Sequence, residues 1–288
     1  MPKTNKIPSI NFHLWEPCNM RCKFCFATFQ DVKKTILPKG HLPEKEAIEV
    51  VKQIAASGFE KITFAGGEPL LCPWLPMLIK TAKNLGLTTM IVTNGTKLTD
   101  SFLKENSMYL DWIALSVDSL NKENNVRTGR AIVGKKAFGN YDYLKIIDLI
   151  HSYDYGLKIN TVVNKINFQE DMTAFIKYAK PKRWKVLQVL PITGQNDFGV
   201  EEFVITKSEF NKFIELHNKI SVMIPESNNE IKESYVMVDP AGRFFDNSKG
   251  VHNYSKPILE VGIEKAFTQV NYDYNKFLKR KGLYNWIK

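Results

Sequence analysis

No apolar run in the 288 residues approaches the roughly 18–20 that a membrane-crossing helix needs. The opening stretch MPKTNKIPSINFHLW is too polar for a secretory signal and lacks the pattern of an amphipathic anchor. Collagen-like, low-complexity and repeat patterns are missing as well. Four cysteines are too few for a disulfide scaffold in a chain of this length. These absences leave a soluble, cytoplasmic globular protein as the expectation. With 44% apolar and 24% charged residues, the composition is ordinary for that class. The length suits one large α/β domain or two small ones.

Charge is not balanced. Forty Lys and Arg against thirty Asp and Glu give a net +10. Such an excess points to an anionic partner, whether nucleic acid, nucleotide or phosphate, or simply to a basic surface.

Strand-like and helix-like segments alternate along most of the chain. Strands are expected at Ile10–Leu14, Lys61–Ala65, Thr88–Thr93, Asp111–Val117, Leu157–Val163 and Trp184–Leu190. Helices are expected at Pro43–Ser57, Trp74–Leu85, Tyr141–Tyr153 and Glu170–Ala179. Continuous apolar strands alternating with helices argue for parallel βαβ units, and about six repeats predict a partial (β/α)6 barrel. After Pro191 the pattern changes to a loop over Thr193–Val200, a helix over Lys207–Lys219 and a hairpin over Ser234–Phe245. Residues 1–191 therefore read as the barrel. Residues 192–288 read as a C-terminal extension closing one of its faces.

Three cysteines crowd into Cys18-Asn-Met-Arg-Cys22-Lys-Phe-Cys25, directly after the first strand. Three thiolates on a short loop can hold three irons of a cubane and leave the fourth open. A structural zinc would want a fourth ligand. Cys72 is isolated and reads as an ordinary semi-buried thiol, and His13 and His41 have no metal-finger spacing. Gly66-Gly67-Glu68-Pro69 follows the second strand; its glycines permit close backbone approach, and Glu68 could receive an ammonium group. Lys158 with Asn160, and Arg183 with Lys185, sit two apart on their strands, so each pair shares a face. Together with Lys61 these cations favour a polyphosphate pocket over solvent-facing strand edges.

The C-x3-C-x2-C spacing followed by GGEP resembles the radical S-adenosylmethionine (SAM) superfamily. That resemblance implies a [4Fe-4S] cluster on Cys18, Cys22 and Cys25, with SAM chelating the open iron. It also implies Phe24 against the adenine, and Gly66, Gly67, Glu68, Asn94 and Ser116 among the SAM contacts.

Within the superfamily the chain resembles the viperins over most of its length. The matching stretches include NFHLWEPCNMRCKFCF (11–26), LKINTVVNKINFQEDMT (157–173), RWKVLQVLPITG (183–194), PESNNEIKESYVMVD (225–239) and FLKRKGLYNWIK (277–288). The resemblance implies dehydration of a ribonucleoside triphosphate to its 3′-deoxy-3′,4′-didehydro analogue, a chain terminator in antiviral or antiphage defence. CTP is the first expectation, with UTP and GTP open. It further implies that Asn11, Lys61, Arg130, Lys158, Asn160, Arg183 and Lys185 bind the substrate, and that Glu226 and Asn228 contact the base. Tyr235 would shape the ribose pocket or assist the hydrogen or electron step. A flavodoxin- or ferredoxin-type electron donor is implied as a partner.

The sequence departs from the vertebrate pattern in three places. It begins without an amphipathic helix, so membrane attachment is not expected. It ends at Trp286-Ile287-Lys288 without an acidic-aromatic terminus, and Glu230 stands where the pattern is basic. Two other readings stay open at this level: a radical SAM enzyme acting on another phosphorylated nucleoside, and a basic nucleic-acid-binding protein with a structural cluster.

Overall fold

A computed structural model describes residues 7–133 and 136–286. Six strands, β1 (Ser9–Trp15), β2 (Lys61–Gly66), β3 (Thr88–Thr93), β4 (Trp112–Ser116), β5 (Gly156–Val163) and β6 (Arg183–Gln188), follow one another in sequence and in space. Each pairs in parallel with the next. Helices Glu44–Ala56, Leu75–Asn84, Asn140–His151 and Thr173–Ala179 lie within a few residues of their expected positions. The first shows why: Ala47, Val50, Val51 and Ile54 recur at helical spacing and are buried. Its charged residues face outward, and Pro43 immediately precedes its first turn.

The region after residue 191 does more than close a face. It extends the sheet at both edges. Strand β7 (Met223–Glu226) adds in parallel to β6, and β8 (Val236–Val238) adds in parallel to β1. The expected hairpin is formed by β8 and β9 (Arg243–Asp246), with β10 (Asn253–Pro257) paired antiparallel beyond it. The order is β10-β9-β8-β1-β2-β3-β4-β5-β6-β7, so the end strands do not pair and the barrel stays open. The hairpin turn is set by Asp239, whose carboxylate accepts from the Ala241 and Arg243 amides, and by Gly242 at φ +71°.

The last segment crosses the barrel's N-terminal end. After the helix Tyr274–Lys279, the Arg280 carbonyl accepts from Arg183 at 3.2 Å and the Tyr284 hydroxyl accepts from Lys61 at 2.5 Å. The Trp286 carbonyl accepts from the Trp112 indole at 2.9 Å. Arg183, Lys61 and Trp112 are the first residues of β6, β2 and β4. The segment is thereby stitched across the strand beginnings, opposite the end where the cysteine loop emerges. Residues 287–288 lie outside the described residues. Among the described residues no helix is long and apolar enough to cross a membrane.

Candidate active site

At the C-terminal ends of the strands, the cysteine loop is held from three sides. The Arg21 and Lys23 amides donate to the Gly129 and Thr128 carbonyls at 3.1 and 3.0 Å. Gly129 has φ +77°, and a Cβ there would lie 2.1 Å from the Arg21 carbonyl oxygen, so only glycine fits. On another side the Asn196 side chain donates to the Phe24 carbonyl at 3.2 Å. Asn19 exchanges side-chain hydrogen bonds with Asn94 and Thr96 at 2.9 and 2.8 Å.

Cys18, Cys22 and Cys25 are half-buried and unbridged. Burial raises all three thiols, Cys22 to about 12 and Cys25 to about 11, with neighbouring sulfurs adding to the effect at those two. Without a positive centre they are neutral; iron would convert them to thiolates. Among the described residues no three thiol, imidazole or carboxylate groups converge on a single ion. Cysteines at three corners of a cubane each bind a different iron, so the donor set fits a cluster with one open iron better than zinc.

The GGEP loop differs in detail from its expected use. A Cβ at Gly66 would lie 2.3 Å from the Trp15 carbonyl oxygen, and one at Gly67 would lie 2.2 Å from that of Glu16. The glycines thus let this loop pack backbone to backbone on the exit of β1. Glu68 is buried, and its carboxylate already accepts from the Leu70 amide, the Thr93 hydroxyl and the Asn94 amide at 3.1, 2.7 and 2.8 Å. Burial still raises its pKa against these donors. It is a strut between β2 and β3. Asn94 is likewise engaged internally, its amide oxygen taken by Thr96. Ser116 ends β4 beside Asn160, as expected, and its carbonyl accepts from Arg130 at 2.6 Å.

A cavity of about 200 Å³ runs along the barrel interior from Phe24 and Phe26 to the C-terminal segment. Its walls carry alternate residues of β1, β2, β5 and β6: Asn11 and His13, Lys61 and Thr63, Lys158 and Asn160, Arg183 and Lys185. Lys158 pairs in register with Arg183, and Asn160 with Lys185. Asn160 Oδ1, Arg183 Nε and His13 Nδ1 are buried on this wall without a partner. Such orphaned groups are costly unless a ligand satisfies them.

The cations occupy the N-terminal part of the strands rather than the mouth that carries the cysteines. Burial lowers Lys158 to about 7, reinforced by Arg183, and pushes Lys61 well below its ordinary value. The C-terminal segment supplies what the sequence reading missed. Arg280 lies 3.7 Å from the Tyr235 ring centre, and Tyr284 takes Lys61 and Arg183 at 4.7 and 4.6 Å. No strand periodicity marks these residues; they reach the cavity only because the segment folds back under it.

Three expected contacts fall elsewhere, and Glu230 too has a local partner. Arg130 does not line the cavity: it forms a buried ion pair with Asp118 at 2.9 Å, beside the cysteine loop. Burial disfavours its charge, but Asp118 overrides this and raises it. Glu226 is fully buried behind the wall, bound to Lys185 and accepting from the Tyr235 hydroxyl, with Arg280 at 3.6 Å. Burial would raise its carboxyl, yet Lys185 and Arg280 prevail and hold it at about 2. Its carboxylate is ion-paired with Lys185 and Arg280 and does not line the cavity. The Asn228 amide caps onto Gln188 at 3.2 Å, outside the cavity lining, whereas Gln188 itself lines it. Glu230 closes a capping box on Ser227 at 2.7 Å, so its charge serves the helix Asn228–Ile231. Tyr235 does line the cavity, its hydroxyl accepting from Lys185.

The cations of this pocket, being enclosed, are not placed to track a polynucleotide backbone. The "Radical SAM superfamily" description matches residues 15–179. A solved structure of native anSMEcpe with bound AdoMet and Kp18Cys peptide superposes with a TM-score of 0.70 at 18% identity, covering 94% of this chain and 82% of that one. That likeness concerns the fold alone. A barrel of this kind with its cysteine loop defines a radical SAM protein, whose cofactors are a [4Fe-4S] cluster and SAM.

Among curated relatives, the S-adenosylmethionine-dependent nucleotide dehydratase of Flammeovirga pacifica is 56% identical over 98% of this chain and 97% of its own length. The protein of the same name from Lacinutrix mariniflava is 69% identical over 98% of this chain, which spans 59% of that relative. The chain belongs to the S-adenosylmethionine-dependent nucleotide dehydratase family, the viperins.

Two outcomes follow from this geometry. Replacing Arg130 with Met leaves Asp118 as an uncompensated buried charge, so denaturant unfolding should lose about 3–5 kcal/mol. Nucleotide affinity of the folded protein should be unchanged; a weakened affinity with intact stability would return Arg130 to the substrate site. Second, a bound polyanion raises the Lys158 pKa from its free value of about 7. Its contribution to binding is then complete below that pH and fades as pH rises through the bound value. Calorimetry at about pH 8 in two buffers of different ionisation enthalpy should show proton uptake on nucleotide binding, reduced by Lys158→Met.

Proposed function

We propose that this protein removes water from a ribonucleoside triphosphate, CTP first, to form the 3′-deoxy-3′,4′-didehydro nucleotide, a chain terminator of defensive use. What carries the reading is the convergence of Lys61, Lys158, Arg183, Lys185 and Arg280 on one cavity against a single buried carboxylate, Glu226. Five basic groups, protonated once a polyanion is bound, against one carboxylate would give an excess near four, close to the roughly −4 of a triphosphate. Lys61, Lys158, Arg183 and Lys185 would hold the phosphates. Asn11 and Asn160, one step further along their strands, would hold the ribose. The unpartnered Asn160 Oδ1 is an acceptor for a sugar hydroxyl.

When bound, the cluster and SAM supply a 5′-deoxyadenosyl radical at the cysteine end of the cavity. Phe24 and Phe26 on that side, with Leu187 and Leu190, keep water from it. Tyr235 stands over the sugar position with its proton held toward Glu226. That bond fixes the phenol's orientation, and burial keeps it protonated. Residues 192–288 contribute Tyr235, Arg280 and Tyr284, and we read them as the part that completes the site around the barrel of residues 1–191. A flavodoxin- or ferredoxin-type carrier would supply the electrons.

The test is anaerobic turnover of the reconstituted protein with SAM, reductant and each of ATP, CTP, GTP and UTP. Mass spectrometry should find 5′-deoxyadenosine together with one nucleotide lighter by a water, and CTP should give it. Deoxyadenosine without a changed nucleotide would contradict the proposed reaction.

A further inference from the structure

Among the described residues that line the cavity, none is Asp or Glu. The acids close to it are taken. Glu226, behind the wall, is paired with Lys185 and Arg280 and accepts from the Tyr235 hydroxyl. Glu233, two residues before Tyr235, holds Lys276 at 2.6 Å. Asp246, next to Asn247 of the lining, accepts from the Ser248 and Asn271 amides at 2.9 and 3.0 Å. The side-chain oxygens that remain on the wall belong to uncharged groups, among them Ser9, Asn11, Thr63 and Asn160.

Such a wall bears on the form in which a triphosphate arrives. The free anion carries roughly −4, and chelated magnesium cancels about two of those charges. Magnesium demands a near-octahedral set of oxygens and parts with its waters reluctantly, and sites that take the chelate give it one or two carboxylates beside the phosphates. No carboxylate of that kind faces this cavity among the described residues. The lining presents Lys61, Lys158, Arg183, Lys185 and Arg280 instead. Lys158 and Arg183 stand in register on neighbouring strands, and Lys61 and Arg183 share the ring of Tyr284 at 4.7 and 4.6 Å. A divalent cation among them would meet like charge from β2, β5, β6 and the C-terminal segment.

We propose that the cavity takes its nucleotide as the magnesium-free triphosphate, with these lysines and arginines standing where a metal ion stands in chelate-binding sites, so that free magnesium competes with the protein for the nucleotide. With the five groups protonated against Glu226, the free anion neutralises their excess, whereas the chelate leaves about half of it unopposed in a poorly solvated space. Burial lowers Lys158 to about 7, with Arg183 and Arg280 adding to the effect and Glu226 opposing it. The full charge of the free anion restores that proton more completely than the chelate can. Magnesium thereby regulates the site without touching the protein, because it sets the fraction of nucleotide in the competent form. The inference rests on the nucleotide reading given above and holds whichever base is accepted.

The test is calorimetric titration of the cluster-loaded protein with SAM, under argon and without reductant, against ATP, CTP, GTP and UTP. Each is measured in magnesium-free buffer and at rising magnesium, with ionic strength held constant by KCl. The nucleotide that binds should do so most tightly without magnesium. Its apparent Kd should rise about 100-fold where magnesium leaves about 1% of it unchelated, and should stay constant when expressed per free anion. The exchange-inert tetraammine cobalt(III) complex of the same nucleotide cannot shed its metal, and should bind at least about tenfold more weakly than the free nucleotide. Affinity that tightens or stays level as magnesium rises would overturn the inference and leave the nucleotide reading standing, as would a cobalt(III) complex that binds like the free nucleotide. No binding of any of the four in either condition would overturn both.

Discussion

Burying five cations beside one carboxylate is unfavourable in any protein interior, and much of this structure exists to make it tolerable. Lys61, Lys158, Arg183, Lys185 and Arg280 all line one cavity, with Glu226 alone to oppose them. Aromatic faces take up part of the strain: Tyr284 serves Lys61 and Arg183, and Tyr235 serves Lys185 and Arg280. Each such contact contributes on the order of 0.5–2 kcal/mol. What remains uncompensated would be relieved by a bound polyanion. The lowered pKa of Lys158 expresses the same strain in another form, since the free cavity sheds protons that a bound phosphate would recover.

The barrel separates this basic floor from the thiols. Lys61 begins β2 and the GGEP loop follows its end, so five residue steps, about 16 Å, separate Lys61 from that loop. The floor is sealed by residues 280–286, which tie to the first residues of β2, β4 and β6. At the other end, segments 127–133 and 195–199 grip the cysteine loop. A ligand lying along the axis is thus framed by two regions that belong to different parts of the chain.

Much of this was legible in the sequence. Local rules sufficed where the period of an element and its chemistry coincided. The six parallel strands read clearly from alternation, and Lys158/Asn160 and Arg183/Lys185 read as inward pairs because a strand repeats every two residues. The cysteine triplet stood out because thiols rarely crowd without a ligand. The misreadings share one cause: a polar residue's partner was far away in sequence. Nothing near Arg130 announces Asp118 as its counter-ion beneath the cysteine loop. Nothing near Glu226 announces Lys185, 41 positions earlier, or Arg280, 54 later. Arg280 and Tyr284 were overlooked because irregular chain has no period to betray its inward side. The glycines of GGEP carried the right warning of close approach, and in the fold they approach the backbone of residues 15–17.

The central claim is that the cavity has two ends with opposite tasks, phosphates at the strand beginnings and radical chemistry at the strand ends. The most direct measurement is an anaerobic crystal structure of the cluster-loaded protein with SAM and CTP. The account predicts phosphate oxygens against Lys61, Lys158 and Arg183, with the ribose between them and the cysteine loop. Phosphates at the cysteine mouth, with those three cations left untouched, would contradict it.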